Sequence, residues 1–160
     1  MSKNSRARWS IPTWYLFHGM AQKIDEKYFI ENRIKVLNFY RTICGNLPCP
    51  LCASHSRNYI KTNRLMNVRN KDELIDYFFK MHNWVNKRLK KKIFEKKDLE
   101  MYTRIHIVHC IKYWDQRFFD KYYVHRNFNS WRRNSLQNQS RQFFVDNYVK
   151  MFNLKGSTKV

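Results

Sequence analysis

A chain of 160 residues, 43% hydrophobic and 17% aromatic, is long enough to bury one core and fits a single domain. With only 3 Gly and 3 Pro it does not suit an all-β fold, whose turns consume both residues, and points instead to long helices joined by few loops. Its 32 Lys and Arg against 12 Asp and Glu leave a formal charge of +20, which favours nucleic acid, anionic lipid or an acidic partner, or simply reflects solubility in a composition rich in Lys, Asn and Ile.

The polar first twelve residues read as loose. From Thr13, a candidate N-cap, the apolar residues Trp14, Phe17, Met20, Ala21 and Ile24 recur at helical spacing. A second helix is expected over 28–43, carried by Phe29, Ile30, Ile34, Leu37 and Tyr40, and the Gly45–Pro48 segment stops it. A third opens at or just after Cys49 and runs to about Arg64, and 64–71 reads as a loop. A strongly amphipathic fourth covers about 71–91, with Leu74, Ile75, Phe78, Met81, Val85 and Leu89 on one side. Its cationic end, Lys87 to Lys92, suits a helix C-terminus. Residues 97–123 read as helical again, and 137–153 as one more helix. Between them, the polar and basic stretch 125–141, with Phe128 and Trp131, reads as a linker, a nucleic-acid-binding segment or a plain solvated loop. No run of about 18 apolar residues offers a membrane span, and the first ten residues lack the apolar stretch of a secretory signal, so a soluble intracellular protein is expected.

The four cysteines, Cys44, Cys49, Cys52 and Cys110, are too few for a disulfide scaffold. Cys49-Pro50-Leu51-Cys52 is a C-x-x-C pair at a helix start, where free amide groups and the helix dipole stabilise a thiolate. Spacing alone leaves two chemistries open. One is a dithiol–disulfide pair. The other is a zinc site of Cys44, Cys49, Cys52 and His55 in a basic nucleic-acid-binding module.

Three further features bear on the choice. Trp14 and His18, four apart, share a helix face. His55 lies one turn beyond Cys52. His82, Asn83, Asn86 and Lys90 form a polar stripe beside an apolar face, and such a stripe needs partners. A planar ligand with ring nitrogens, hydroxyls and phosphates would supply them. Singly, each has an ordinary structural explanation: a core tryptophan, a satisfied buried histidine, a solvated lysine run. Their occurrence together with the cysteine pair favours redox chemistry.

The segments Trp14–His18, Cys49–His55 and His82–Leu89 together resemble the Erv/ALR sulfhydryl oxidases, in order and approximate spacing, over about residues 8–102. The basic composition is similar to the versions carried by large DNA viruses. The resemblance implies an all-α four-helix bundle with a short fifth helix that holds FAD over residues 1–102, followed by a basic helical extension, 103–160. It implies that Cys49 meets the substrate and that Cys52 lies against the isoalloxazine ring. Trp14, His18 and His55 would line the flavin and adenine. His82, Asn83, Asn86, Lys87, Lys90 and Lys91 would bind adenine, ribose and pyrophosphate, with Val85 and Leu89 packed on the adenine and Phe79 and Tyr102 as nearby aromatics. Protein thiols would be oxidised and oxygen reduced to hydrogen peroxide, by a homodimer joined through its first helices, in the host cytoplasm, nucleus or virion. The basic extension has no place in the family core, and nucleic acid, a protein partner or a dimer interface are the roles its charge leaves open. The chain departs from cellular members in having no cysteine near Met66 or Glu95–Lys97 for a second disulfide, and no shuttle pair in either tail, so direct transfer from a separate thiol protein is expected. Only Arg8 stands where a Gly-Arg pair is frequent. Cys44 and Cys110 read as inert buried thiols rather than a substitute pair.

Overall fold

A computed structural model describes residues 3–120 and 130–154, with side chains from residue 8 onward. Among the described residues there are seven α-helices and no strand, as the scarcity of turn residues predicts. They are α1 (Lys3–Lys23), α2 (Glu26–Gly45), α3 (Pro50–Thr62), α4 (Lys71–Arg88), α5 (Glu100–Thr103), α6 (Ile107–Phe118) and α7 (Ser130–Met151), with 3-10 turns at Leu65–Asn67 and Lys96–Leu99.

The first helix starts at Lys3, not at Thr13, and runs through Pro12. Proline has no N–H to give the carbonyl four residues back, which normally breaks a helix. Here the Thr13 hydroxyl donates to the Trp9 carbonyl at 2.7 Å, and Trp9 is only 4% exposed. Burying an indole outweighs one missing bond. Thr13 is therefore interior and buried, not a cap.

Asp25 caps α2, accepting from the Tyr28 amide at 2.8 Å. The helix kinks at Asn32 (φ −114°, ψ 19°), whose side chain donates to the Tyr28 carbonyl at 3.1 Å. Asn70 caps α4, accepting from the Glu73 amide at 2.8 Å. At the other end of α4 the chain reverses: the Lys90 amide donates to Lys87 O at 3.2 Å and the Lys91 amide to Asn86 O at 2.9 Å. That is a Schellman closure, with Lys90 in the left-handed position (φ 52°) that glycine usually fills.

The expected helix over 97–123 is instead broken into a 3-10 turn, α5 and α6; residues 121–123 lie outside the described residues. The last helix begins seven residues before the expected 137. Within the expected linker 125–141, residues 130–141 are thus helical, anchored by buried Leu136 and Ser140, while Phe128 lies outside the described residues.

The core is continuous from the first four helices into the last two. Helix α6 lies along α1 and α7 along α2. Phe39 of α2 stacks on Phe143 (4.2 Å, 11°) and meets Phe144 and Trp114 edge-on. Asp115 of α6 accepts from Gln137 and Arg141 of α7. Tyr28 donates to the Asn147 side chain at 2.6 Å, and the Asp25 amide to Met151 O at 2.7 Å. A Cβ on Gly19 would stand 2.5 Å from Ile105 Cδ1, so its lack of a side chain lets the chain before α6 close on α1.

Candidate active site

Helix α3 begins where sequence chemistry places it. Pro50 sits in its first turn, where no N–H is missed and φ is already helical. Cys49 is the N-cap, in extended conformation (φ −106°, ψ 112°), and its sulfur accepts from the Cys52 amide at 3.3 Å. The two cysteines are joined as a disulfide with Cα atoms 5.1 Å apart. Pro50 and Leu51 are exposed, Leu51 at 66%.

Cys52 forms part of the wall of a cleft of about 590 Å³, lined by residues of α1, α3 and α4, Cys44 at the end of α2, Leu47, the chain reversal after α4, and Tyr102. This volume lies in the range of roughly 300–1,000 Å³ expected of ligand pockets. One wall is flat: the His82 ring stacks on Trp14 at 4.1 Å and 8°. Behind it, His18 Nε2 lies 3.0 Å from His82 Nδ1, and the His18 ring stacks on Tyr102 at 4.7 Å. Burial, with His82 beside it, lowers the His18 pKa to about 3; burial, with the Lys91 charge nearby, lowers that of His82 to about 4. Both rings are neutral at pH 7, so one donates and the other accepts.

Another wall is cationic. Lys90 and Lys91 line the cleft, and Arg88 donates to His55 Nε2 at 2.9 Å while lying over the Trp84 ring at 4.9 Å. Two buried donors in the lining have no hydrogen-bond partner: the Trp9 indole N–H and the Ser56 hydroxyl. Ser56 is near enough to the Cys44 sulfur to favour its thiolate slightly, but without good hydrogen-bond geometry. Burial dominates there and pushes the Cys44 thiol up to about 12.

Of the residues expected at the site, Trp14, Cys52, His55, His82, Val85, Asn86, Leu89, Lys90, Lys91 and Tyr102 line this cleft. His18 lies behind the Trp14–His82 wall. Asn83 faces the Phe94 backbone, donating to its carbonyl and accepting from its amide, each at 2.8 Å. Phe79 packs near Phe94 (6.3 Å), and Lys87 is exposed outside the lining. Nothing among the described residues favours the zinc alternative. Cys49 and Cys52 are spent in a disulfide, His55 is held by Arg88, and no cluster of three or more His, Cys, Asp or Glu suited to a metal occurs among the described residues.

Sequence reasoning missed Trp9, Ser56, Trp84, Arg88 and Phe94. Trp84 and Arg88 are four apart, a signal that was available. Trp9 was hidden by Pro12, and Phe94 lies in irregular chain with no period to reveal it.

The Erv1 / Alr family matches residues 11–106. The chain is 26% identical over 105 residues to the FAD-linked sulfhydryl oxidase of a Malawi tick isolate of African swine fever virus, a match covering 66% of this chain and 87% of that protein. The FAD-linked sulfhydryl oxidase of a Kenyan pig isolate of the same virus is 28% identical over 85 residues, covering 53% and 71%. A protein of Invertebrate iridescent virus 3, provisionally given the same name, is 32% identical over 84 residues, covering 52% and 57%. No solved structure matches the chain.

Proposed function

Because the chain belongs to the Erv1/Alr family, we propose that it is an FAD-dependent thiol oxidase whose Cys49–Cys52 pair makes disulfides in partner proteins. The observation that carries this reading is a disulfide at a helix N-terminus with one sulfur-bearing residue, Cys52, in the wall of a flat-sided cleft.

The cleft fits the cofactor on its own chemistry. The unpartnered Trp9 and Ser56 donors call for acceptors of the kind that flavin and adenine rings carry. In this reading Trp14 and His82 give the face on which a ring lies, with neutral His18 holding His82 in place. Val85, Leu89 and Tyr102 cover apolar edges. Asn86, Lys90 and Lys91 meet the ribose and phosphates, and His55 is oriented by Arg88. Asn83 and Phe79 act through Phe94, and Lys87 adds charge from outside.

The exchange follows from the pair's position. One substrate thiolate attacks the Cys49 sulfur and the Cys49–Cys52 bond breaks, leaving Cys52 as thiolate. The second substrate thiolate attacks the substrate sulfur of the mixed disulfide and expels Cys49 as thiolate. The substrate loses two electrons and the pair gains them, while the substrate protons pass to solvent. Amides at the start of α3 stabilise the thiolates. When bound, FAD supplies the two-electron acceptor that restores the disulfide and delivers the electrons to oxygen as hydrogen peroxide.

The last cleft residue is Tyr102, which supports residues 1–102 as the cofactor-binding part and 103–160 as an extension that buttresses it. For a homodimer, supporting surface is exposed Ile30 and Ile34 on α2; for nucleic acid, it is exposed Trp131 and Arg132 on α7. The virus-borne relatives support a place in the host cytoplasm, nucleus or virion, and no described helix is long and apolar enough to cross a membrane.

The purified protein should be yellow and consume oxygen with dithiothreitol. Cys52→Ser should stay yellow and lose turnover. A colourless protein, or a yellow one without oxygen uptake, rejects the reading.

A further inference from the structure

Along the chain, the charges on either side of the disulfide are of one sign. Between Glu31 and Asp72 the chain has no acidic residue and eight Lys and Arg; between Asp76 and Glu95 it has none and six. The first of these stretches carries the Cys49–Cys52 pair and all of α3, and the second carries most of α4.

Arg41, Arg57 and Lys61 are exposed on the helices before and after the pair. On α3 the exposed side runs through Pro50, Leu51, Ser54, Arg57, Asn58 and Lys61. At a rise of about 1.5 Å per residue, Arg57 lies about 7.5 Å and Lys61 about 13.5 Å along the axis from Cys52. Arg57 is fixed: it donates to Gly45 O at 2.7 Å, on the segment that leads into Cys49. Arg41 is exposed on the last turns of α2, one turn before Gly45. Among the described residues none of Arg41, Arg57 and Lys61 is in an ion pair. At physiological salt the screening length is about 8 Å, so Arg57, about one screening length along the helix, acts at the pair at reduced strength, and Lys61 and Arg41 act on whatever flanks it.

We propose that this surface selects the substrate: the pair oxidises thiols carried in acidic segments, with Asp and Glu against Arg41, Arg57 and Lys61 and an apolar contact on Leu51. The proposal rests on the oxidase reading of Cys49–Cys52 and names the substrate class for it. An acidic flank is drawn in by the field and held by pairing at the rim, which raises the association rate more than the final affinity. A basic flank meets like charge on the helices before and after the disulfide. Nucleic acid is the competing use of these cations. The protein substrate is favoured because the charge lies on the two helices that lead into and out of the groups that must touch a thiol, and Leu51, 66% exposed between the two cysteines, offers an apolar contact and no charge for a phosphate backbone.

The test uses the full-length flavin-loaded protein and two dithiol peptides, identical except that Asp and Glu flank the cysteines in one and Lys in the other. The acidic peptide should show a kcat/KM about tenfold higher at low ionic strength, with the gap closing as salt rises. In Arg41→Glu/Lys61→Glu, two positions without hydrogen bonds to the fold, the preference should fall below about threefold. Equal rates for the two peptides, with dithiothreitol still oxidised, overturn the substrate class and leave the oxidase reading standing. Equal rates with salt-sensitive retention of duplex DNA assign the cations to nucleic acid and overturn it too. A preference unchanged in the double variant places recognition elsewhere. Failure to oxidise dithiothreitol as well overturns the oxidase reading itself.

Discussion

His18 Nε2 on α1 lies 3.0 Å from His82 Nδ1 on α4, so two helices whose residues are 64 apart in sequence are tied through a pair of neutral imidazoles. The bond needs one ring to give a proton and the other to accept it. Protonating both would set two donors against each other beneath the wall on which Trp14 and His82 stack.

The pair makes stability depend on pH in a defined direction. Both folded pKa values are lowered, to about 3 and about 4, from an ordinary value near 6.5. Between those limits the unfolded chain binds protons that the folded chain does not, so stability rises with pH there. It should be full above about pH 6.5 and fall as pH drops toward 4, by up to about 1.4 kcal/mol per unit for each ring. Urea unfolding between pH 7.5 and 5, above most carboxylate titration, measures it. In His82→Phe the slope should be about halved. A flat wild-type profile across this window would show that the rings are not held neutral.

Asn83 fixes the returning chain. Its two 2.8 Å bonds pin both polar groups of Phe94, whose ring reaches His82 at 5.0 Å. Asn83→Ala should cost about 1–3 kcal/mol by denaturant unfolding, at about 1 kcal/mol per bond plus the stranded Phe94 groups. Flavin should also dissociate faster, because the support behind His82 loosens. Asn83→Asp keeps the acceptor and loses the donor, and should fall between wild type and Ala. Unchanged unfolding in Asn83→Ala would mean that water replaces the side chain at no cost.

The start of α3 and most of α4 were legible in the sequence because local signals and burial agree there: Pro50 in the first turn after a capping cysteine, and an apolar stripe on α4 from Leu74 to Met81. The start of α1 was not legible, since Pro12 argues locally against a helix that Trp9 secures by tertiary burial. The last helix was legible over 137–153, but its first turns from Ser130 were not, since Leu136 is the first residue of α7 to be buried. At the site the stripe His82–Asn83–Asn86–Lys90 was seen as one surface. Helical geometry separates it, with Asn83 turned to Phe94 while His82, Asn86 and Lys90 line the cleft.

Lys90 sits in a conformation that glycine adopts more easily. At φ 52° a residue with a Cβ gives up about 1 kcal/mol relative to glycine, yet a lysine closes α4 and lines the cleft. Lys90→Gly should therefore stabilise the fold by roughly 0.5–1 kcal/mol while weakening flavin binding by roughly fivefold, the loss of one partly exposed charge on a phosphate. Lys90→Ala should lose the affinity without the gain in stability. Thermal unfolding and the release of flavin fluorescence on dilution separate the two effects. A Lys90→Gly protein with full flavin affinity would assign the lysine no part in holding the cofactor.

The extension bears on the fold through aromatic contact with α2, and one side chain tests this without removing a helix. Phe144 is buried, meets Phe39 at 5.1 Å and lies 6.4 Å from Trp114, so it joins α7 to α2 and α6 together. Phe144→Ala leaves a cavity where three helices meet, and should cost about 3–5 kcal/mol in urea unfolding. The cleft is lined by residues up to Tyr102 and none from α6 or α7. At low temperature, where the variant stays folded, its flavin affinity should therefore match wild type. If flavin affinity instead falls in step with stability, α7 must help to shape the cleft through α2, and the division at residue 102 is wrong. If stability is unchanged, the Phe39 cluster is not a joint between the extension and the bundle.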